Sequence, residues 1–110
     1  MNCEEFSVVA GVGGKRYDCR FFKLITGISP RHSDTVDVQF LVNGAKAVVA
    51  LPHPAFAQVR ERTGRPLTDV QAIEMAAQFL KETIEKEGWI ENRMLLPSAE
   101  QTLNLAASLH

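Results

Sequence analysis

The chain has 110 residues, of which 45% are hydrophobic and 23% are charged, and its formal net charge at pH 7 is −1. This length is typical of one folded domain, here residues 1–110, with a hydrophobic core, and the composition excludes a disordered or fibrous chain. A net charge near zero provides no long-range field to attract nucleic acid or an anionic membrane, but a local basic patch leaves a nucleic-acid partner open.

Cysteine content and the N-terminal sequence bear on the cellular compartment. The chain has two cysteines, Cys3 and Cys19, which are too few for a disulfide framework or a four-thiolate zinc site. The first residues, MNCEEFSVV, lack the basic and apolar regions of a secretion signal. No apolar run approaches the roughly 20 residues that span a bilayer. We therefore expect a cytoplasmic protein with no membrane association.

The first motif in the chain, AGVGGKRYDC (residues 10–19), has the glycines and the lysine of a phosphate-binding loop. In such a loop, serine or threonine follows the lysine and a helix begins there. Here Arg16 follows Lys15, and the flanking segments are rich in strand-forming side chains. We therefore predict that Gly13 and Gly14 form a hairpin turn between two strands.

A second hairpin is predicted for TVDVQFLVNGAKAVVALP (residues 35–52). Apolar residues alternate along it, and Asn43-Gly44 is the preferred pair for a two-residue type I′ turn. The other face of this hairpin is only half polar because it carries Leu41 and Val48. Strands that reverse at this turn place eight apolar residues on one core face, as the pairs Val42–Ala45, Phe40–Ala47, Val38–Val49 and Val36–Leu51.

Two helices are predicted after this hairpin. A short helix covers about residues 54–62 and precedes Gly64, which suits a left-handed C-cap. A long helix follows Thr68, which forms a capping-box pattern with Gln71, and runs to about Lys86. The long helix has one apolar stripe and a second apolar zone on a different side. The stripe is Val70, Ile73, Ala77, Leu80 and Ile84, and the second zone is Ala72, Met75, Ala76 and Phe79.

The C-terminal segment predicts a third helix. It begins with another capping-box pattern, Ser98 with Gln101, and its apolar arc is wider than half of the helix circumference. Such an arc requires cover. Two arrangements provide it: the helix packs on the Met75 and Phe79 side of the long helix within the chain, or it contributes to a dimer.

No catalytic or metal-binding group of residues can be assembled from the sequence. The three histidines lie apart and show no ligand spacing, and no nucleophile, base and orienting group come together. We therefore predict no catalytic residues, no metal and no cofactor. Whether the protein is an enzyme stays open, although the sequence favours a protein without catalytic activity. The best candidates for a ligand contact are His53, at a helix start, and Arg60. The alternative for His53 is that it simply precedes the helix between two prolines.

The first hairpin supports a different hypothesis. Basic residues and aromatic residues lie close together along it, and aromatic rings between cations on a sheet suit single-stranded nucleic acid. The glycine-aromatic signature of ribonucleoprotein domains is absent, and the same rings could belong to the core. The basic residues are Lys15, Arg16, Arg20 and Lys23, and the aromatic residues are Tyr17, Phe21 and Phe22.

Three segments carry a resemblance to a known family: VDVQFLVNGAKAVVAL, IEMAAQFL and EGWIENRMLLPSAE. Their layout, with the LLPSAE ending, resembles a family of small bacterial hypothetical proteins in which a hairpin, a short helix, a long helix and an apolar strand follow one another. The resemblance covers roughly the last two-thirds of the chain. It implies an α+β fold and a bacterial source, and it implies no activity and no site residues.

The sequence thus predicts one α+β domain. We expect an antiparallel sheet of about four strands in two hairpins, a long helix across one face, a short helix and a C-terminal helix. Apolar surface in excess predicts a homodimer and leaves another protein partner possible. The leading functional hypothesis is a non-catalytic interaction or regulatory module; the alternatives are a nucleic-acid-binding domain and a small-molecule site or minor enzyme around His53. The candidate self-association residues are Leu41, Val48, Met75, Phe79, Leu105 and Leu109.

Overall fold

The structure is a computed structural model that describes residues 5–11, 13–27, 35–88 and 94–108. It confirms an α+β fold. The elements in chain order are β1 (Glu5–Val9), β2 (Arg16–Gly27), β3 (Thr35–Val42), β4 (Ala45–Pro52), α1 (His53–Thr63), α2 (Asp69–Glu87), β5 (Met94–Leu95) and α3 (Ala99–Ala107).

The sheet has five strands in the order β1-β2-β3-β4-β5. Strands β1 to β4 pair antiparallel with their neighbours, and β5 pairs parallel to β4. The prediction of about four antiparallel strands is therefore wrong in the number of strands and in their pairing, because the sheet is mixed. The extra strand, Met94–Leu95, reaches the sheet through a crossover that contains α1 and α2, which is the kind of connection that a parallel pair needs.

The second hairpin is confirmed in register and in turn geometry. Asn43 and Gly44 have φ angles of 49° and 84°, as a type I′ turn requires. Seven of the eight inward residues are buried, and Ala45, next to the turn, is half-buried. The four opposed pairs are those predicted, Val42–Ala45, Phe40–Ala47, Val38–Val49 and Val36–Leu51.

The glycine-rich stretch is a hairpin turn, as predicted. Gly13 and Gly14 have φ angles of 78° and 67°, and the Ala10 amide donates a hydrogen bond to the Lys15 carbonyl at 2.9 Å. The chain after the glycines enters β2 and not a helix. Residues 13–27 therefore provide none of the helix N-terminal amides that hold a phosphate.

A β-bulge interrupts the alternation of β2. Phe21 pairs with Phe40, and Lys23 pairs with Gln39, so Phe22 is the additional residue. In a bulge, two residues on one strand oppose a single residue on the other. Phe22 and Lys23 therefore both lie opposite Gln39, on the side of the sheet that faces away from the core.

The helices cover the other side of the sheet. Helix α2 contacts β1, β2, β3 and β4, and α3 packs against α1, α2 and β4. Leu105 of α3 is buried in the same core as Met75 of α2. Of the two arrangements for the C-terminal helix, the structure therefore has the one in which it packs within the chain.

The apolar stripe of α2 is buried except at its start. Ile73, Ala77, Leu80 and Ile84 are buried, whereas Val70 is 61% exposed. Val70 is the second residue of α2, and its neighbours Thr68 and Asp69 are exposed as well. The first turn thus lies outside the packed layer, so the buried part of the apolar stripe begins at Ile73.

Both predicted capping boxes are present. In α2, the Gln71 amide donates to Thr68 Oγ1 at 3.1 Å, and the Thr68 amide donates to Gln71 Oε1 at 2.9 Å. In α3, Ser98 and Gln101 make the same two bonds at 3.1 and 2.8 Å. Each box satisfies amides that the helix itself leaves without partners.

Replacement of Thr68 with alanine removes one of these bonds, and we expect it to lower the free energy of unfolding by about 1 kcal/mol. Chemical denaturation followed by circular dichroism measures the change. Thr68→Ser keeps the hydroxyl and serves as the control, and an equal loss in both variants would show that the hydrogen bond is not the cause.

Candidate interaction surface

The side of the sheet away from the helices, which we call the outer face, carries most of the exposed apolar side chains. Among the described residues, six large hydrophobic side chains are at least 39% exposed, and the strand register places four of them on the outer face. Isolated exposed hydrophobic residues are common, but a concentration on one face is typical of an interaction site. These four are Val9, Phe22, Ile25 and Met94; of the other two, Leu96 directly follows β5 and Val70 lies on α2.

Gln39 lies at the centre of the outer face. It is on β3, the third of the five strands, and the register places Lys23 on one side of it and Val48 on the other. Its side chain is only 7% exposed, and within the described residues its Oε1 atom is buried without a hydrogen-bond partner. A buried amide oxygen without a donor costs about 1–3 kcal/mol, so this atom calls for an explanation.

Charges of both signs surround the apolar residues of the outer face. At its β1–β2 end, Asp18 accepts from Ser7 Oγ at 2.8 Å and from Arg16 Nε at 3.3 Å. This mixture gives no strong single-sign field of the kind that attracts a polyanion. By register, the basic residues of the face are Arg16, Arg20, Lys23 and Lys46, and the acidic residues are Glu5, Asp18 and Asp37.

The six residues predicted for self-association fall in different places. Leu41 and Val48 lie on the outer face and are half-buried. Met75 and Leu105 are 1% and 8% exposed in the chain's own core, which corrects their assignment to a surface, because α3 covers that side of α2. Phe79 is half-buried beside α3, and Leu109 lies outside the described residues.

His53 and Arg60, the predicted ligand contacts, line one open groove along α1, together with Phe56 and Leu67. The groove has a volume of about 600 Å³, within the range of small-molecule sites. The His53 ring stacks on Phe56 with an interplanar angle of 8°. Glu61 also lines the groove, but it is eight positions after His53 in α1, which is a rise of about 12 Å along the helix axis. These two groups therefore do not form an acid–base pair, and ligand binding here stays a prediction.

The aromatic residues of the first hairpin divide between the two faces. Tyr17 is buried, and Phe21 packs edge-on against Phe40 with ring centroids 6.2 Å apart. Phe22 is exposed, with Lys23 Nζ 5.3 Å from its ring centroid. One exposed ring among the three is a small platform for base stacking, so the described residues favour the nucleic-acid hypothesis less than the sequence does.

The Cys19 thiol is on the core face of β2 and is 1% exposed. Burial, and to a lesser degree the charge of Asp18, raises the pKa of this thiol from 9.0 to about 12. Because the thiolate is the reactive form, these surroundings are those of a structural cysteine.

In a Cys3→Ser background, where Cys19 is the only thiol, we expect no reaction with Ellman's reagent at about pH 8 in the native state and rapid reaction after denaturation. Since folding raises the pKa, the thiol's contribution to stability is complete below the unfolded pKa near 9 and is lost as the pH rises towards 12. Fast labelling of the native protein would contradict the buried position.

The described part of the chain contains no group of three or more His, Cys, Asp or Glu side chains placed to hold a metal ion. No helix within it has the length and hydropathy needed to cross a membrane. No family model, curated protein or solved structure matches the chain, so the resemblance to small bacterial proteins stays a prediction.

Proposed function

We propose that this protein is a non-catalytic interaction module that self-associates through the outer face of its sheet. The observation that carries the proposal is the position of the exposed apolar side chains: among the described residues, four of the six large ones lie on this face by register, and a fifth, Leu96, directly follows β5. Each Å² of apolar surface removed from water contributes about 25 cal/mol. Val9, Met94 and Phe22, which are 58%, 54% and 52% exposed, are therefore each stabilised by burial against a partner.

The size of the outer face suits one half of a specific interface. Five strands about 4.8 Å apart, with central strands of eight residues at about 3.3 Å each, cover roughly 600 Å². Standard interfaces take about 800 Å² from each partner, and weaker ones take less. Because interfaces of similar area differ widely in affinity, the area alone does not set the dissociation constant, and the experiments below cover the micromolar range.

A second copy of the chain is the occupant that best fits the charges. The outer face has four basic and three acidic side chains, so it neither selects a strongly acidic partner nor repels its own copy. Two copies of a mixed surface can pair basic with acidic groups, and closed two-fold dimers are the commonest oligomers. The helices cover the core side of the sheet, so within the described residues the outer face is the side of the sheet that a partner can reach.

The experiment compares two single substitutions of exposed apolar residues. Phe22→Glu introduces a charge into the outer face, and Val70→Glu introduces the same charge on α2, away from it. We expect light scattering at about 200 µM to show a dimer for the unaltered protein and for Val70→Glu, and at least a tenfold weaker dimer for Phe22→Glu.

Circular dichroism establishes that both variants remain folded, which we expect because both side chains are more than half exposed. If Phe22→Glu and Val70→Glu weakened the dimer equally, the dimer interface would not lie on the outer face. A dimer that survives Phe22→Glu would place the interface on another surface.

A further inference from the structure

We infer that the two-fold axis of this self-association passes close to Gln39, so that the Gln39 amides of the two copies pair with each other. This inference rests on the proposed function. Each carboxamide has a donor, Nε2, and an acceptor, Oε1, so the same group from two copies related by a two-fold axis forms two reciprocal hydrogen bonds.

The position of Gln39 supports an axis at this point. It lies on the central strand of the five and is the fifth of the eight residues in β3. Two copies of one face overlap most when the axis passes through the middle of that face, and a residue on the axis meets its own copy. Gln39 is the outward residue that occupies this middle position.

The hydrogen-bond state of Gln39 is the second, independent observation. Its Oε1 is buried without a partner among the described residues, and the side chain is 93% buried. A buried polar atom without a partner is rare in a folded protein. A donor brought by the second copy supplies what the single chain lacks, after a rotation of the side chain towards the interface.

The apolar residues around Gln39 complete the arrangement. The bulge places Phe22 and Lys23 opposite it, and Val48 and Leu41 flank it on β4 and β3. Exclusion of water by such a rim strengthens a central polar contact. Gln39 thus has the surroundings of a polar group that fixes the orientation of two apolar faces.

The test replaces Gln39 with glutamate and measures the dissociation constant by sedimentation velocity at about pH 7 and pH 4. At pH 7 two carboxylates meet near the axis, and we expect at least about tenfold weaker association. At pH 4, below the usual pKa of glutamate, protonated carboxyls pair as the amides do, so association returns.

Among the described residues, the charged groups of the outer face that lie nearest to position 39 by register are Arg20 and Lys23 on β2, Asp37 on β3 and Lys46 on β4; Glu5, Arg16 and Asp18 lie farther away, towards the β1–β2 end. The dissociation constant of the unaltered protein, measured at both pH values, gives the effect of titrating these other groups, and this effect is subtracted. Gln39→Leu is the second control. It removes both amides together, leaves no unpaired group, and is expected to keep the dissociation constant within about threefold.

A folded Gln39→Glu dimer whose dissociation constant does not depend on pH would overturn the inference, while the proposed function would stand if Phe22→Glu still weakens the dimer. An unaltered protein that stays monomeric would overturn both. If Gln39→Glu does not fold, NMR spectra of the unaltered protein test the inference through the side-chain amide resonances of Gln39. They shift with protein concentration if the amides pair, and unchanged resonances through dimerisation contradict the inference.

Discussion

Replacement of Phe40 with alanine is expected to lower the free energy of unfolding by about 3–5 kcal/mol, enough to unfold much of a domain of ordinary stability. The Phe40 side chain is completely buried on the central strand. Its ring makes edge-to-face contacts with Phe6 and Phe21, whose centroids lie 6.1 and 6.2 Å away. The substitution loses the transfer free energy of the ring, leaves a cavity and removes both aromatic contacts.

Urea denaturation at low protein concentration measures this loss without a contribution from association. Phe22→Ala is the matched control, because it deletes the same ring from the same sheet at a position that is 52% exposed. We expect the control to cost less than about 1 kcal/mol. Similar losses in the two variants would contradict the assignment of the two rings to opposite faces.

Replacement of Gly11 with alanine is the second substitution with a large expected effect, about 2–3 kcal/mol. The Gly11 amide donates a hydrogen bond to the Glu85 carbonyl at 2.9 Å, one of the last carbonyls of α2, which have no partner within the helix. A Cβ atom at Gly11 would lie 2.8 Å from that backbone oxygen. The first hairpin and the end of α2 would have to separate to admit the methyl group.

Gly64→Ala provides the control for Gly11→Ala. Gly64 has a φ angle of 74° at the end of α1, and a Cβ there would meet no atom within 4 Å, so its substitution costs only the backbone strain of about 1 kcal/mol. Thermal and urea denaturation of both variants give the comparison. A Gly11→Ala protein that is no less stable than Gly64→Ala would show that the hairpin and α2 are not in close contact.

The parts of the fold that sequence predicts well are those that depend on residues close together in the chain. Asn43-Gly44 determines the turn, and the turn sets the register of the two strands. The capping boxes at Thr68 and Ser98 are four-residue patterns, and both are present. The register also predicts that Leu41 and Val48 lie away from the core.

The parts that were missed depend on contacts between distant segments. Strand β5 has two residues, too short for an alternating pattern, and it exists because Met94 and Leu95 pair with Val48 and Val49. The bulge at Phe22 needs the partner strand to define it. The resemblance to small bacterial proteins includes an apolar strand before the LLPSAE ending, but neither the pairing of such a strand with β4 nor the bulge has a local signal in the sequence.

The sequence predicts only part of the candidate surface, because the rest also depends on contacts between distant segments. Met75 looked available to a partner because nothing in the sequence decides whether the C-terminal helix folds back on α2, and α3 does so. Gln39 reads as an ordinary outward polar residue of an alternating strand. Only the three-dimensional structure shows that Gln39 is 7% exposed and that, within the described residues, its Oε1 has no donor.

The central claim, self-association through the outer face, is tested most directly by sedimentation velocity on the unaltered chain between about 5 and 500 µM. The proposal predicts an average mass that rises with concentration from the 12.2 kDa of one chain towards twice that value. A mass of 12.2 kDa at every concentration would contradict it.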